Sequence, residues 1–184
     1  VEDGYVTYAF NFSGGALVKW FRDTLAVHLC AEAKEKGVSA YDLLNHGCPQ
    51  KPTDMLVVPH FLGAGGTPDM VKRATGTICG LKMDTSLYDI YRGILEGLSF
   101  EMAYNLEMLD AFGIRVDMLR AVGGGARSAA WLQIKADVFS RPIIPICAEE
   151  AGAAGSAMLA SMALGHTSDL REAGSVFVRA GDPI

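Results

Sequence analysis

The sequence predicts an α/β fold, a mixed sheet flanked by helices, and three observations lead there. In the second half, helix, strand, helix, strand and helix alternate, the pattern of parallel strands joined by crossover helices. Two glycine turns, Gly14-Gly15 and Gly123-Gly124-Gly125, each stand between an apolar run and a helix. The chain has 184 residues, 50% hydrophobic and 20% charged, which suits one compact domain spanning 1–184 with a sizeable core.

Period and punctuation justify the elements in order. Residues 5–12, YVTYAFNF, read as a strand by β-branched and aromatic content. A helix is expected over 16–35, with Leu17, Trp20, Phe21, Leu25 and Leu29 on one face and Gly37 at its end. Residues 39–47 form a short helix capped by Ser39. Strands are expected at 54–61 and 75–82, with a loop at 63–68. A long helix starts at Thr85 or Ser86 and runs to Phe112, with Ile90, Ile94, Leu98 and Met102 in register and Gly113 as terminator. Strand 117–124, helix 127–139 and strand 142–148 follow, the helix crossing right-handedly between strands of one mixed sheet. Helix 150–164 ends at Gly165, and 169–180 closes the chain as a helix.

Composition excludes several function classes. The net charge is −5, and no basic block or basic-aromatic interleaving points to nucleic acid. Cys30, Cys48, Cys79 and Cys147 lie far apart with no metal-ligand spacing, which fits free thiols in a cytoplasmic protein. Asn11-Phe12-Ser13 matches a glycosylation sequon, a pattern common by chance. The most apolar stretch, 151–165, is shorter than the ~20 residues a membrane span needs, and its alanines and glycines predict a buried, closely packed helix. A chain that enters an apparent strand at once, with no initiator methionine, reads as a piece of a longer protein.

The triple glycine carries the chemistry. A helix N-terminus offers unpaired N–H groups and partial positive charge, and glycines before it let the backbone approach a ligand. The same small residues also serve tight strand–helix packing, so both readings stand. A P-loop is excluded, because Arg127-Ser128 follows the glycines too closely. Gly123, Gly125 and Ser128 make a near miss to the dinucleotide fingerprint, with Glu149 and Glu150 in the place of a ribose-binding acid. That leaves a dinucleotide-binding oxidoreductase domain as an alternative.

Residues 123–143 resemble the adenosine motif of the FGGY carbohydrate kinases: three glycines, a small residue, a basic residue and serine, then Trp131, Gln133, Ala136, Asp137 and Pro142. Residues 76–97 resemble that family's C-terminal signature through Gly76, Ile78, Gly80, Leu81, Asp89-Ile90 and Leu95-Glu96, with Gly93 where alanine or serine is usual. FSGGALVKWFRD (12–23) resembles its glycine turn and Trp-x-Arg-Asp helix, and 149–165 its small-residue helix. Many xylulokinase-like members have Glu-Arg-Thr-Pro where Gly65-Gly66-Thr67-Pro68 stands here.

The resemblance implies a ribonuclease H-like, actin-like ATPase domain: the second of the two that close on ATP and a sugar or polyol. It implies phosphoryl transfer from Mg2+-ATP to a sugar or polyol hydroxyl by the whole enzyme. Gly123, Gly124, Gly125 and Ala126 would line the adenosine, and Gly15 and Lys19 would contact the nucleotide. Ser128 would bond near the ribose or base, or cap its helix; Lys19 would otherwise be a solvated helix lysine. The two glycine turns are expected to face one cleft. Asp137 and Trp131 read as structural, and His28, His46, His60 and His166 as incidental.

No residue here resembles the family's catalytic base, its sugar site or its Asp-x-Gly phosphate loop. The sugar or polyol and most Mg2+ ligands are therefore assigned to a first domain upstream of Val1. The chain alone is expected to be inactive, and its uncovered apolar face predicts self-association, such as a homodimer. An actin-superfamily nucleotide module without transferase activity is the other alternative.

Overall fold

The computed structural model describes residues 6–65, 70–147 and 150–184, which fall in two compact units, Val1–Val116 and Asp117–Ile184.

The first unit is built around one long helix. Helix α1 covers Gly14–Thr24, α2 Val27–Lys36 and α3 Ala40–Gly47. Strands β1 (Leu56–Val58) and β2 (Thr77–Cys79) pair antiparallel, with Val57 opposite Ile78. Helix α4 then runs Leu87–Ala111. Its start is set by Ser86 and Asp89. The Ser86 N–H donates to Asp89 Oδ2 at 2.8 Å, and the Asp89 N–H donates to Ser86 Oγ at 3.2 Å. Ser39 and Asp42 start α3 in the same reciprocal way. Gly37 and Gly113, at φ 65° and 78°, stop α2 and α4 as expected.

From Tyr91 to Ser99 every residue of α4 is buried, so that stretch is covered on all sides. Backbone meets backbone there. A Cβ on Gly97 would lie 2.3 Å from the Val57 carbonyl oxygen, and one on Gly93 would lie 3.1 Å from Val57 Cγ2. Glycine is what lets β1 lie on the helix. The Arg92–Glu96 pair is buried beside it, with Nε to Oε1 at 2.5 Å. Arg92 Nη1 also donates to the Pro49 carbonyl at 3.1 Å, and the Thr53 N–H donates to Glu96 Oε2 at 3.4 Å. The pair thus pins the 49–53 connection.

The expected helix 16–35 is two helices. Leu25 and Ala26 both donate their N–H to the Phe21 carbonyl, at 2.9 and 3.1 Å, which ends the α1 ladder. β-branched Thr24 and Val27 flank the break, and the turn buries Ala26 completely while Leu25 stays 42% exposed. The strand expected at 5–12 is not formed over 6–12. That segment instead lies along α4, Asn11 Nδ2 donating to the Leu98 carbonyl at 3.1 Å and Asn105 Nδ2 to Asn11 Oδ1 at 3.0 Å. Its side-chain amide is committed inside the unit.

The second unit places β3 (Leu119–Ala121) parallel to β4 (Ile143–Pro145), Leu119 opposite Ile143, with α5 (Ala129–Phe139) between them in sequence. Helices α6 (Ala151–Ala163) and α7 (Leu170–Phe177) pack on each other. The last helix stops at Phe177, not 180. Residues 179–184 run antiparallel along β4 instead: the Cys147 N–H donates to the Arg179 carbonyl at 2.8 Å, and Ile143 and Ile184 exchange bonds at 3.0 Å. This makes the arrangement mixed. Gly181 permits it, since its Cβ would come within 3.0 Å of Pro145 Cγ. The fold class is α/β, as expected.

Helix α6 departs from expectation. Of its residues only Ser161 is buried, and Leu159 is 61% exposed. Helix α7 packs on it. Among the described residues no helix is long and apolar enough to cross a membrane.

Candidate functional site

Gly14 and Gly15, expected as a turn before the helix, are the first two residues of α1 in the first unit. Gly14 has φ 34°, a conformation suited to glycine; Gly15 is exposed and a Cβ there would touch nothing within 4 Å. Ser13 precedes them at the N-cap position, 1% exposed, yet no side chain caps α1. Its Oγ instead accepts the Leu62 N–H at 3.3 Å. The Ser13 carbonyl accepts from Leu17 at 3.0 Å. Lys19 is exposed on α1 and its charge helps hold the neighbouring Asp23 carboxyl low, after the stronger hydrogen bond from Arg22.

The turn at 60–64 packs against this helix. Phe61 and Trp20 rings sit 5.0 Å apart, and Gly76 is bare because a Cβ would fall 1.9 Å from the Phe61 ring. His60 Nε2 lies 3.4 Å from Glu101 Oε1 on α4. Burial pushes the Glu101 carboxyl up, and the imidazole partly offsets this. Among the described residues Glu101 Oε2 has no hydrogen-bond partner. The sequence gives His60 no partner; the fold brings it to a carboxylate 41 positions on.

The triple glycine lies in the second unit and its three members differ. Gly123 has φ 79° and ψ −166°, a region that belongs to glycine. Gly125 is fixed by packing, since a Cβ would meet Trp131 Cζ3 at 3.0 Å. Gly124 has neither constraint: its Cβ position is open. The turn does not enter α5 directly but forms a 3-10 turn over Gly124–Arg127, Ala126 donating to the Gly123 carbonyl at 3.1 Å. Ser128 then caps α5, its Oγ accepting the Trp131 N–H at 3.2 Å. Of its two expected roles, the cap is present. Trp131 is the buried anchor expected, with Lys135 Nζ 3.9 Å over its ring. Burial lowers the Lys135 pKa. Asp137 accepts from Gln133 Nε2 at 2.8 Å on the exposed face, a structural use.

A cavity of about 240 Å³ in the first unit, lined by Thr53, Asp54, Lys82, Asp84, Thr85 and Asp89 among others, includes none of the expected site residues. Among the described residues no three His, Cys, Asp or Glu side chains gather as a metal site. Gly66, Thr67 and Pro68 of the departing tetrapeptide, and Glu149, lie outside the described residues.

The chain shares its fold, that of the actin-like ATPases, with solved carbohydrate-kinase structures. The xylulose kinase of Rhodospirillum rubrum matches with a TM-score of 0.72 and 26% identity over 92% of this chain and 33% of its own. A Plasmodium falciparum glycerol kinase structure with ADP, 23% identical with a TM-score of 0.70 over 92% of this chain and 32% of its own, shows the same fold. The model of the FGGY family of carbohydrate kinases, C-terminal domain, matches residues 1–164, and the chain belongs to that family.

Among curated relatives, xylulose kinase of Bacillus subtilis is 28% identical over 97% of this chain and 34% of its own length. Glycerol kinase of Clostridium perfringens is 31% identical over 92% of the chain and 33% of its own. The chain therefore spans about a third of these relatives. The oxidoreductase alternative falls, since the carbohydrate-kinase family model spans Gly123, Gly125 and Ser128.

Proposed function

We propose that residues 1–184 form the ATP-binding domain of a carbohydrate kinase that transfers the γ-phosphate to a sugar or polyol hydroxyl. One observation carries the reading. Among the described glycines, four have neither positive φ nor a neighbour where a Cβ would sit: Gly15, Gly124, Gly152 and Gly155. Gly152 and Gly155 lie in the stretch that resembles the family's small-residue helix; Gly15 and Gly124 stand in those that resemble its nucleotide contacts. The fold gives no reason for these positions to be bare, and a ligand laid against the backbone does.

Gly15 and Lys19 in the first unit, and Gly123, Gly124, Gly125, Ala126 and Ser128 in the second, are the proposed nucleotide contacts. ATP supplies the phosphoryl group; the chain's own part is to offer bare backbone and N–H donors to the nucleotide. The Mg2+ ligands and the base that takes the hydroxyl proton are assigned, in keeping with the resemblance, to the remaining two thirds of such a kinase. A cytoplasmic setting is in keeping with four free cysteines. Exposed Leu159, Leu164, Leu170 and Phe177 support self-association of the chain in isolation.

The test is an ADP-release assay with pentoses, hexoses and polyols, xylulose and glycerol among them. We expect no turnover from residues 1–184 alone and sugar- or polyol-dependent turnover from a longer protein carrying them. Turnover by the chain alone would place the base within it and overturn the division of labour. Gly124→Val should weaken ADP binding at least tenfold in the longer protein; unchanged binding removes Gly124 from the site.

A further inference from the structure

We propose that Ser13 is a positioning residue for the nucleotide, acting through the Gly14-Gly15 pair; the proposal rests on the reading of that pair as a nucleotide contact. A serine immediately before a helix ordinarily adopts an extended backbone and turns its hydroxyl onto the first-turn N–H groups. Ser13 does neither. Its backbone is already helical at φ −85°, ψ −41°, and its hydroxyl makes no cap bond. The side chain is turned inward, 1% exposed, and takes the Leu62 N–H from 49 positions away.

Two consequences follow from that one rotamer. The start of α1 is left without a side-chain cap, so its first N–H groups stay available to an incoming anion or polar edge. The pair itself is also fixed in place, although two glycines in a row are the least constrained backbone available. The Ser13–Leu62 bond holds one end of α1 to the 60–64 turn. The Trp20–Phe61 ring contact holds the same helix to the same turn seven residues on. Phe61 is in turn wedged against Gly76, and His60 is tied to Glu101 of α4. The bare glycines therefore sit at the end of a helix fastened at two points, which preorganises them without placing a side chain in the ligand's way.

The experiment measures ADP binding by titration calorimetry, with thermal melting in the absence of ADP, in a longer protein carrying residues 1–184. Ser13→Ala should raise the ADP Kd about fivefold, the effect of one neutral hydrogen bond. Phe61→Leu, which loosens the second fastening without touching the buried hydroxyl, should raise it by a smaller factor. A lowered melting temperature with an ADP Kd unchanged in both variants shows a purely structural serine and overturns the proposal. If Ser13→Ala fails to fold, Phe61→Leu decides alone, and an unchanged Kd overturns it. Gly15→Val separates the two levels: should it leave ADP binding intact, the pair is no nucleotide contact and the proposal falls with that reading. If it abolishes binding while Ser13→Ala and Phe61→Leu do not weaken it, only the positioning role is lost.

Discussion

The two units bury apolar surface in opposite ways. In the first, nine consecutive residues of α4, Tyr91 to Ser99, are enclosed, and two of them are an arginine and a glutamate. In the second, α6 is nearly all alanine, glycine and aliphatic residues, yet Ser161 is the one residue it buries. Apolar composition is a poor guide to burial when the side chains are small. A helix is enclosed when its neighbours can approach, as Gly93 and Gly97 allow β1 to do, or when long side chains reach across a gap, as Arg92 does to Pro49.

The largest way to break this contrast is to orphan one buried charge. Arg92→Ala leaves Glu96 enclosed without its partner and should cost about 3–5 kcal/mol, read as the urea midpoint of the unit's unfolding. Gly97→Ala comes next. A Cβ at 2.3 Å from the Val57 carbonyl forces β1 off the helix, for about 1–3 kcal/mol by the same measurement. In the second unit the effects shrink and one changes sign. Ser140, which ends α5, holds φ 49°, the one positive value at a non-glycine among the described residues. Ser140→Gly should stabilise by about 1 kcal/mol, seen as a rise in melting temperature. Smallest is Leu159→Ala on α6, where an exposed side chain should cost less than about 0.5 kcal/mol. A larger loss would show that α6 is covered in solution.

Local chemistry was legible in the sequence. Ser39 and Ser86 announced α3 and α4, Gly37, Gly113 and Gly165 announced helix ends, and the glycine-rich break before Trp131 announced α5. What the sequence hid was long-range. The break at Leu25–Ala26 has no proline or glycine to mark it. The tail at 179–184 becomes a sheet edge only because β4 is there to pair with it. The triple glycine read as one device, whereas its members answer to a backbone angle, an open space and an indole in turn. Ser13 read as part of a turn, and its partner, a backbone N–H at Leu62, has no sequence signature at all.

Glu101 adds a proton-uptake component to the folding of the first unit. Its carboxyl is pushed above the ordinary glutamate range chiefly by burial, so between the unfolded and the raised folded value the folded chain holds a proton that the unfolded chain has released. Stability from this group is whole below the unfolded value and drains away as pH climbs through the folded one. The contribution of this group therefore runs opposite to that of Asp23 and Asp89, whose hydrogen-bonded carboxyls are held low and lose their stabilisation in acid. Glu101→Gln should remove the slope: its melting temperature should exceed that of the parent at neutral pH and converge with it as the solution is acidified.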